Sequence, residues 1–424
     1  MGSKKKLLLL GDRYAARDRM LNLGDQAMQD GAYCVLRDEL GFEILAGPWK
    51  PFPYLGGHAF RKAASEGAGT VFERWFSATM RRAGSSARED AVSRWMDRTS
   101  LLNNPVVRAV EARVERRAGL GPVAALKPYL LRNHMARRLT GLIESADVVC
   151  FLGGGLIADH LWAYMPSFLF ELYLAKRLGR RVVAVSESVA VADPLVSEAA
   201  GHVHRMLDFH LVREPLSRER LLALGVPEDR MAVCPDFAFA AAADPAGATC
   251  DPLPPGSVAL IIRGDRHVDT ESWRQLVRHL SASGRQVFAV STCSAHDAKA
   301  MRQIAAGAPL RLAPASRDFR DIVAGLKGCD LVVTDRFHGA ILALLAGTPV
   351  LPLESNTFKM RGLFQMFDYP ADVVPPLGGA SCERVAAAAD RLMSNLPAAR
   401  AAVAAARATL AGRVREGARA ALGG

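Results

Sequence analysis

Apolar and polar positions along the chain follow two different periods. Short apolar runs at residues 7–10, 147–152 and 181–186 are typical of buried strands. Longer stretches with apolar residues at helical spacing, residues 26–40 and 161–178, follow the first two of these runs. Strands and helices that alternate in this way predict βαβ units and a parallel sheet, so we expect an α/β fold.

The alternation starts again in the second half of the chain. Residues 241–255, AAADPAGATCDPLPP, have no periodicity and are rich in Ala and Pro, which indicates an interdomain linker. A chain of 424 residues is also too long for one ordinary core. We therefore predict a first α/β domain (1–240), the linker, a second α/β domain (256–382) and a helical tail rich in Ala and Arg (383–424).

Residues 57–140 interrupt the alternation and carry most of the net positive charge. The segment is helical in character and contains 16 Lys and Arg against 7 Asp and Glu, within a chain whose formal net charge is +11. A basic surface attracts polyanions, anionic lipid or acidic substrates. Because no nucleic-acid-binding module accompanies the charge, we predict a basic helical insertion and no nucleic-acid partner.

The cysteines and the apolar runs bear on the cellular compartment. Seven scattered cysteines without a CxxC pair are typical of reduced thiols in a cytosolic protein, and they suggest no zinc site. Four leucines after a short basic start are too few for a signal peptide. No run approaches the roughly 18 apolar residues of a membrane span, so we expect a soluble cytoplasmic protein.

The first motif, NLGDQA, lies between the first predicted strand and the first predicted helix. Gly24 permits a tight turn there, and Asp25 is suited to capping the helix. Alternatively, the backbone amides that begin at Asn22 line a ligand cleft at the helix start. The sequence leaves both interpretations open.

A glycine triplet, Gly153, Gly154 and Gly155 in FLGGGLI, follows the buried strand at 147–152. Such a run lets a ligand or a neighbouring helix approach the backbone closely. It is neither GxGxxG nor a P-loop, so it gives only weak support to a nucleotide site. We expect a close-packed turn that faces the cleft.

Two further motifs place charged residues near strand ends. In LVREPLS, Arg213 ends a short strand and Ser217 begins a helix. In CPDFAF, Asp236 closes a turn or faces the cleft. Ligands in α/β proteins bind beyond the carboxyl ends of the strands, so Arg213 is a candidate anion-binding residue.

The segment DRFHGAILALLAGTP is the most informative motif. Arg336 and His338 stand two apart at a strand end, where extended backbone would turn both to the same side, above the sheet. Gly339 follows, and the next helix start carries free amides and partial positive charge. The arrangement predicts an anion site that contains a proton donor, with Lys359 as a third cation.

Together these motifs resemble those of the polysaccharide pyruvyl transferase family. The resemblance lies in NLGDQA, FLGGGLI, VREPLS, CPDFAF and DRFHGAILALLAGTP, in this order over roughly residues 7–370, with a lysine downstream. It implies a GT-B-like fold in which two Rossmann-like domains face a central cleft, with the donor site in the second domain. Members move the pyruvyl group of phosphoenolpyruvate onto two hydroxyls of a sugar, forming a cyclic ketal.

The resemblance also implies roles for individual residues. Arg213 and Arg336 would hold the phosphate and carboxylate of phosphoenolpyruvate, His338 would act as general acid, and Lys359 would assist. The other expected substrate-binding residues are Asn22, Gly24, Asp25, Gly153, Gly154, Gly155, Ser217, Asp236 and Gly339. Two segments depart from the family pattern: Phe337 stands where many members have leucine, and AVSESVAVADP (184–194) replaces a glycine-rich turn.

The residue types suit this chemistry. Arginines bind a multiply charged anion in a bidentate manner, and a histidine can protonate the methylene carbon of phosphoenolpyruvate. The sequence leaves the base open among Asp236, Asp25 and Glu187, and the scheme requires no cofactor and no metal.

The expected acceptor is a sugar of a cell-surface glycan or its lipid-linked precursor. The basic insertion would then place the protein on the anionic inner face of the membrane. Two alternatives remain open: a GT-B glycosyltransferase that uses a nucleotide sugar, and a non-catalytic sugar-binding or scaffold protein.

Overall fold

Two parallel sheets organise the part of the chain that the structure describes. The computed structural model describes residues 4–11, 22–47, 67–83, 136–161, 165–241, 248–354 and 357–423. Within these ranges, every pair of neighbouring strands is parallel, and the strands fall into one sheet of six and one of five. The predicted α/β class with two parallel-sheet domains is therefore confirmed.

The first sheet has the strand order β2-β1-β3-β4-β5-β6. Its strands are β1 (Lys6–Leu10), β2 (Glu43–Ala46), β3 (Val148–Ala158), β4 (Arg181–Ala190), β5 (Phe209–Val212) and β6 (Met231–Val233). In β1, Leu7 and Leu9 enter one core and Leu8 and Leu10 enter another. A strand buried on both faces needs apolar side chains at every position, which explains the four consecutive leucines.

The second sheet has the strand order β11-β10-β7-β8-β9. Its strands are β7 (Val258–Ile261), β8 (Val287–Ala289), β9 (Leu310–Leu312), β10 (Leu331–Thr334) and β11 (Val350–Pro352). The sequence pattern predicts no strand at β2, β6 or β9, each of which is only three or four residues long.

Helices cover both sheets, and several begin at side-chain caps such as Asn22, Asp193, Asp269 and Asp318. None of the helices in the described part of the chain combines the length and apolar character needed to cross a membrane. The helices named here are α1 (Leu23–Tyr33), α2 (Ala68–Ala83), α3 (Met165–Arg177), α4 (Pro194–His204), α5 (Pro215–Ala223), α6 (Thr270–Ala282), α7 (Ser294–Ala305), α8 (Phe319–Leu326), α9 (Phe337–Ala346), α10 (Lys359–Phe364), α11 (Cys382–Ser394) and α12 (Leu396–Leu422). Residues 136–145 are also helical.

Each sheet has a point at which the chain reverses its direction of strand addition. In the first sheet this point lies between β1 and β3, and in the second it lies between β7 and β10. The loops that leave two such strands diverge, so a crevice opens beyond their carboxyl ends. The NLGDQA and RFHG motifs follow β1 and β10, respectively, and both crevices are therefore occupied by predicted site residues.

Helix α1 joins the two domains directly. The backbone N–H of Leu23 donates to the carbonyl of Thr292 at 2.9 Å. The buried amide of Gln26 accepts from the N–H of Phe319 at 2.8 Å and donates to the carbonyl of Arg317 at 3.3 Å. Because these bonds satisfy polar groups inside the interface, they fix the position of α1 against the second domain.

Helix α12 returns from the second domain to the first. Its buried residues recur every three or four positions: Ala399, Val403, Ala406, Leu410, Val414, Ala418 and Ala421. Most of this stripe belongs to a core cluster that also contains residues of β1, α1 and α9. The Ala-rich tail therefore packs against both domains along one regular face.

Two sequence predictions need comment here. The glycine triplet is part of β3 rather than of a turn after it, because β3 continues to Ala158. The basic insertion lies largely outside the described residues, which include only 67–83 and 136–140 of it. Residues 242–247 of the predicted linker also lie outside them.

Gly31→Ala is expected to destabilise the protein. A Cβ at Gly31 would lie 1.8 Å from the carbonyl oxygen of Phe237, a backbone atom that cannot rotate away. This overlap should outweigh the gain of about 1 kcal/mol that alanine brings to a helix interior. The thermal unfolding midpoint measures the effect.

Gly412→Ala in α12 is the matched control, since a Cβ added there would have no atom of the described residues within 4 Å. We expect this variant to unfold at an equal or higher temperature. Equal midpoints for the two variants would contradict the close approach of α1 to Phe237.

Candidate active site between the two domains

A buried carboxylate, Asp236, lies where the two domains meet. It follows β6 and begins a single helical turn, Phe237–Ala240, by accepting from the N–H of Ala238 at 2.9 Å. Its other oxygen accepts from Arg213 Nη1 at 2.7 Å and lies 3.6 Å from His338 Nε2. Burial alone would raise the pKa of the Asp236 carboxyl, but the neighbouring His338 and Arg213 hold it well below its ordinary value.

Arg213 is held on three sides and is only 2% exposed. In addition to Asp236, its Nε donates to Ser188 Oγ at 2.7 Å. Its guanidinium lies 4.2 Å from the centre of the Phe337 ring. The ring thus stabilises the cation from the second domain, so the phenylalanine that departs from the family pattern has a specific contact here.

The His338 imidazole stands between two carboxylates of the first domain. Its Nδ1 lies 3.5 Å from Asp25 Oδ1, and its Nε2, near Asp236, has no hydrogen-bond partner among the described residues. The side chain is 13% exposed. The residue belongs to α9 of the second domain, so this contact forms only when the two domains are together.

The close approach of His338 depends on Gly24. A Cβ on Gly24 would lie 2.1 Å from the Cβ of His338, which is far inside van der Waals contact. Asn22 caps the start of α1 by accepting from the N–H of Gly24 at 3.1 Å. The first turn of α1 is therefore shaped to receive the histidine of the other domain.

Arg336 lies at the N-cap of α9 and forms an ion pair with the buried carboxylate of Asp297. That carboxylate also accepts from the N–H groups of Gly264 and Cys293, at 3.1 and 3.0 Å. Extended backbone was expected from the sequence through both Arg336 and His338. Arg336 is extended, but α9 begins at Phe337. Arg336 pairs with Asp297 of its own domain, whereas His338 lies near Asp25 and Asp236 of the first domain.

The glycine run makes room for cations. A Cβ on Gly155 would lie 2.4 Å from Lys359 Nζ and 3.5 Å from Arg213 Nη2. Gly154 has a φ of +50°, next to a register shift between β3 and β4. The absence of side chains therefore lets Lys359 and Arg213 approach the backbone of β3.

Lys359 is half-buried and has charges of both signs around it. Burial, followed by the charge of Arg213, lowers the pKa of its ammonium group to about 7, while Glu214 acts in the opposite direction. A substantial fraction of Lys359 is therefore neutral at neutral pH and can accept a proton.

Two predicted site residues have internal roles. Ser217 is fully buried, donates to Glu214, and accepts from the N–H of Val189 at 2.8 Å. A Cβ on Gly339 would lie 2.7 Å from Thr334 Oγ1 and 2.9 Å from Ile261 Cγ2. Ser217 therefore holds Glu214, and Gly339 lets α9 pack against the second sheet.

Sequence reasoning missed three residues of this region. His160 follows β3, and burial and the charges of Lys359 and Arg263 lower its pKa. Arg263 follows β7, and Asp297 lies in α7. Arg263 was detectable as a cation at a strand end, whereas the pairing of Asp297 with Arg336 depends on tertiary structure.

A cavity of about 550 Å³ lies in the second domain. It is lined by Gly264 and His296, which flank Asp297, and by the basic side chains of Arg266, His267 and Lys299. Neither Arg336 nor the closely packed residues around Asp236 line it. The second domain therefore offers volume for an anionic group.

The sequence of this chain matches a known protein family. A family model described as polysaccharide pyruvyl transferase matches residues 60–357, well over half of the chain. Comparison with curated protein sequences gave no significant match.

The structural neighbours identify the fold. A putative UDP-N-acetylglucosamine 2-epimerase from Listeria monocytogenes has a TM-score of 0.52 at 14% identity, covering 98% of this chain and 94% of that one. A glycosyltransferase from Rickettsia africae has a TM-score of 0.50 at 12% identity, covering 99% and 98%. S. aureus MnaA with UDP gives 0.50 at 12% identity, covering 95% and 91%. The fold is therefore the predicted GT-B-like type.

Lys359 should react with amine-acylating reagents at unusually low pH. The neutral amine is the reactive form, so its labelling rate should rise with pH to half its maximum near pH 7, following the pKa of about 7. Pulse labelling with acetic anhydride and peptide mass spectrometry measures this midpoint. In the urea-denatured chain it should return to the ordinary lysine value of about 10.4. The same high midpoint in the folded protein would contradict the lowered pKa of Lys359.

Proposed function

Because the chain belongs to the polysaccharide pyruvyl transferase family, we propose that it transfers the pyruvyl group of phosphoenolpyruvate onto two hydroxyls of a sugar. Family membership makes it a transferase that acts on polysaccharide. The donor, the ketal product and the residue roles are the proposal. The observation that carries it is the His338 imidazole, which stands between two carboxylates beside Arg213.

The donor would bind to the cations on both sides of this imidazole. Phosphoenolpyruvate carries several negative charges, and Arg213, Arg336 and Lys359 come from both domains. In the free protein, Asp236 and Asp297 hold the two arginines in fixed orientations. A bound anion would add to this arrangement rather than create it, so little reorganisation is needed at the moment of reaction.

The proton transfers follow from the surroundings of His338 and Lys359. His338 would deliver a proton to the methylene carbon of phosphoenolpyruvate, which leaves an oxocarbenium-like centre at the neighbouring carbon. A sugar hydroxyl attacks that centre and loses its proton, phosphate leaves, and a second hydroxyl closes the ring. Lys359 is our candidate for the base, because its lowered pKa leaves much of it neutral.

The three bases that the sequence left open are less suitable. Glu187 is fully buried against two histidines, and the pKa of Asp236 is held well below its ordinary value, which makes it a weak base. Asp25 faces His338 Nδ1 and would instead orient the ring.

The acceptor and the location remain proposals that rest on the sequence. We expect a sugar of a cell-surface glycan or of its lipid-linked precursor. The surplus of basic residues at 57–140 would hold the protein on an anionic membrane face, close to such an acceptor.

His338→Ala should strongly reduce turnover. The test incubates the protein with phosphoenolpyruvate and a panel of glycoside acceptors that carry paired hydroxyls, and measures phosphate release and the ketal methyl signal by NMR. Loss of the general acid should lower the rate by roughly 10²–10⁴-fold. In D₂O, the ketal methyl group of the wild-type product should carry one deuteron from the protonation step.

His279→Ala is the matched control, because this exposed histidine pairs with Asp390 on the surface of the second domain. It should retain full activity. Nucleoside diphosphate released from a UDP-sugar, with no phosphate released from phosphoenolpyruvate, would favour the glycosyltransferase alternative. No turnover of either donor by the wild type would favour the non-catalytic one.

Gly24→Ala should lower turnover while the folded protein persists. The added methyl group must displace either His338 or the start of α1, since the two Cβ atoms would lie 2.1 Å apart. A displacement of this size typically costs about 10²-fold in rate. Steady-state kinetics should show the loss mainly in kcat.

Gly141→Ala provides the comparison, because a Cβ added at this helical position would have no described atom within 4 Å. Unchanged kinetics in both variants would show that the contact between Gly24 and His338 does not matter for turnover.

A further inference from the structure

A second polar cluster lies beneath the crevice, in the interior of the first domain. Glu187 on β4, His204 at the end of α4 and His210 on β5 are each fully buried. One carboxylate oxygen and one nitrogen from each ring lie within 4.8 Å of one another. The proposed reaction uses none of these three residues.

The distal nitrogens of the two rings fix the positions of the hydrogen atoms. His204 Nδ1 lies 2.7 Å from the carbonyl of Ala200, and His210 Nε2 lies 3.1 Å from the carbonyl of His204. A carbonyl oxygen can only accept, so both of these nitrogens carry hydrogen. In the neutral rings, the other two nitrogens, His204 Nε2 and His210 Nδ1, therefore carry lone pairs.

Both lone pairs point at the Glu187 carboxylate. His204 Nε2 lies 3.0 Å from Oε1, and His210 Nδ1 lies 3.6 Å from Oε2. Within the described part of the chain, neither His210 Nδ1 nor Glu187 Oε2 has a hydrogen-bond partner. Two lone pairs facing a buried carboxylate repel it unless a positive charge lies between them.

We propose that Glu187, His204 and His210 bind a divalent transition-metal ion, for which zinc is the best match. Two imidazole nitrogens and one carboxylate oxygen form a donor set that zinc prefers. Ligands about 2.1 Å from one tetrahedral ion lie roughly 3.4 Å from each other, close to the spacings of 3.0 and 3.6 Å found here.

The surroundings have a further feature of a metal site. Each ring donates its distal N–H to a backbone carbonyl, which fixes the tautomer and orients the lone pair toward the ion.

The position of the cluster assigns the ion a structural role. The carbonyl of Glu187 accepts from the N–H of Arg213 at 3.0 Å, and a Cβ on Gly153 would lie 2.9 Å from the Glu187 Cβ. An ion at this point would link β4, the end of α4 and β5, and Arg213 directly follows β5 into the crevice. This inference differs from the sequence expectation of no metal, and it does not depend on the identity of the substrate.

The direct test is metal analysis of the full-length protein without a histidine tag, produced in zinc-supplemented medium and passed through a desalting column. Elemental mass spectrometry should find about one zinc ion per chain. The His204→Asn/His210→Asn double variant should retain far less, whereas His279→Asn, which changes an exposed histidine, should retain the wild-type amount.

A second measurement serves if the double variant does not fold. Co²⁺ added to chelator-treated wild-type protein should give the visible absorption bands of a tetrahedral nitrogen and oxygen site, and zinc should remove them. Chelation should also lower the thermal unfolding midpoint.

Wild-type protein that retains no zinc and gives no cobalt bands would overturn the proposal. So would equal zinc retention by the folded double variant, since the metal would then be bound elsewhere. In those cases the positive charge would come from protonated histidine, which ¹⁵N NMR detects as a ring protonated on both nitrogens.

Discussion

The buried carboxylate of Asp236 is the constraint on which this site depends. A carboxylate without solvent needs compensating charge, and Arg213 supplies it from the same domain at 2.7 Å. His338 approaches the same oxygen from the other domain at 3.6 Å. The site therefore exists only while α1 and α9 stay in contact, and the absent side chain at Gly24 makes that contact possible.

Each arginine of the site is oriented by a buried aspartate before any substrate is present. Asp236 holds Arg213, and Asp297 holds Arg336. Both pairs are internally balanced. Burial, followed by the charge of Arg213, lowers the pKa of Lys359 to about 7. Fixed arginines and a titratable lysine are suited to different tasks, the first to holding an anion and the second to moving a proton.

Charged and polar side chains form two layers at the crevice, one within it and one beneath it. The glycine run of β3 separates Lys359 and Arg213 above from Glu187 and its two histidines below. Glu187 and Arg213 share a backbone hydrogen bond at 3.0 Å, so movement in the lower layer would be transmitted to the guanidinium above. The register shifts lie near these residues: one between β3 and β4 follows Gly154, and one between β4 and β5 precedes Glu187.

Periodicity and residue order determined a large part of this molecule. The two parallel sheets could be predicted from the four leucines of β1 and from the alternation of strands and helices. This was possible because the hydrophobic period depends only on local backbone geometry. The ordered motifs were sufficient to predict the family and candidate residues such as Arg213 and His338.

The tertiary structure decided which of these residues contact each other. Arg336 pairs with Asp297, next to the helix that begins at Phe337. Ser217 and Gly339 have packing roles inside the domains. Glu187 lies beside two histidines that are 17 and 23 residues away in the chain. Contacts of this kind follow from sheet order and helix packing, which bring distant segments together without leaving a local pattern in the sequence.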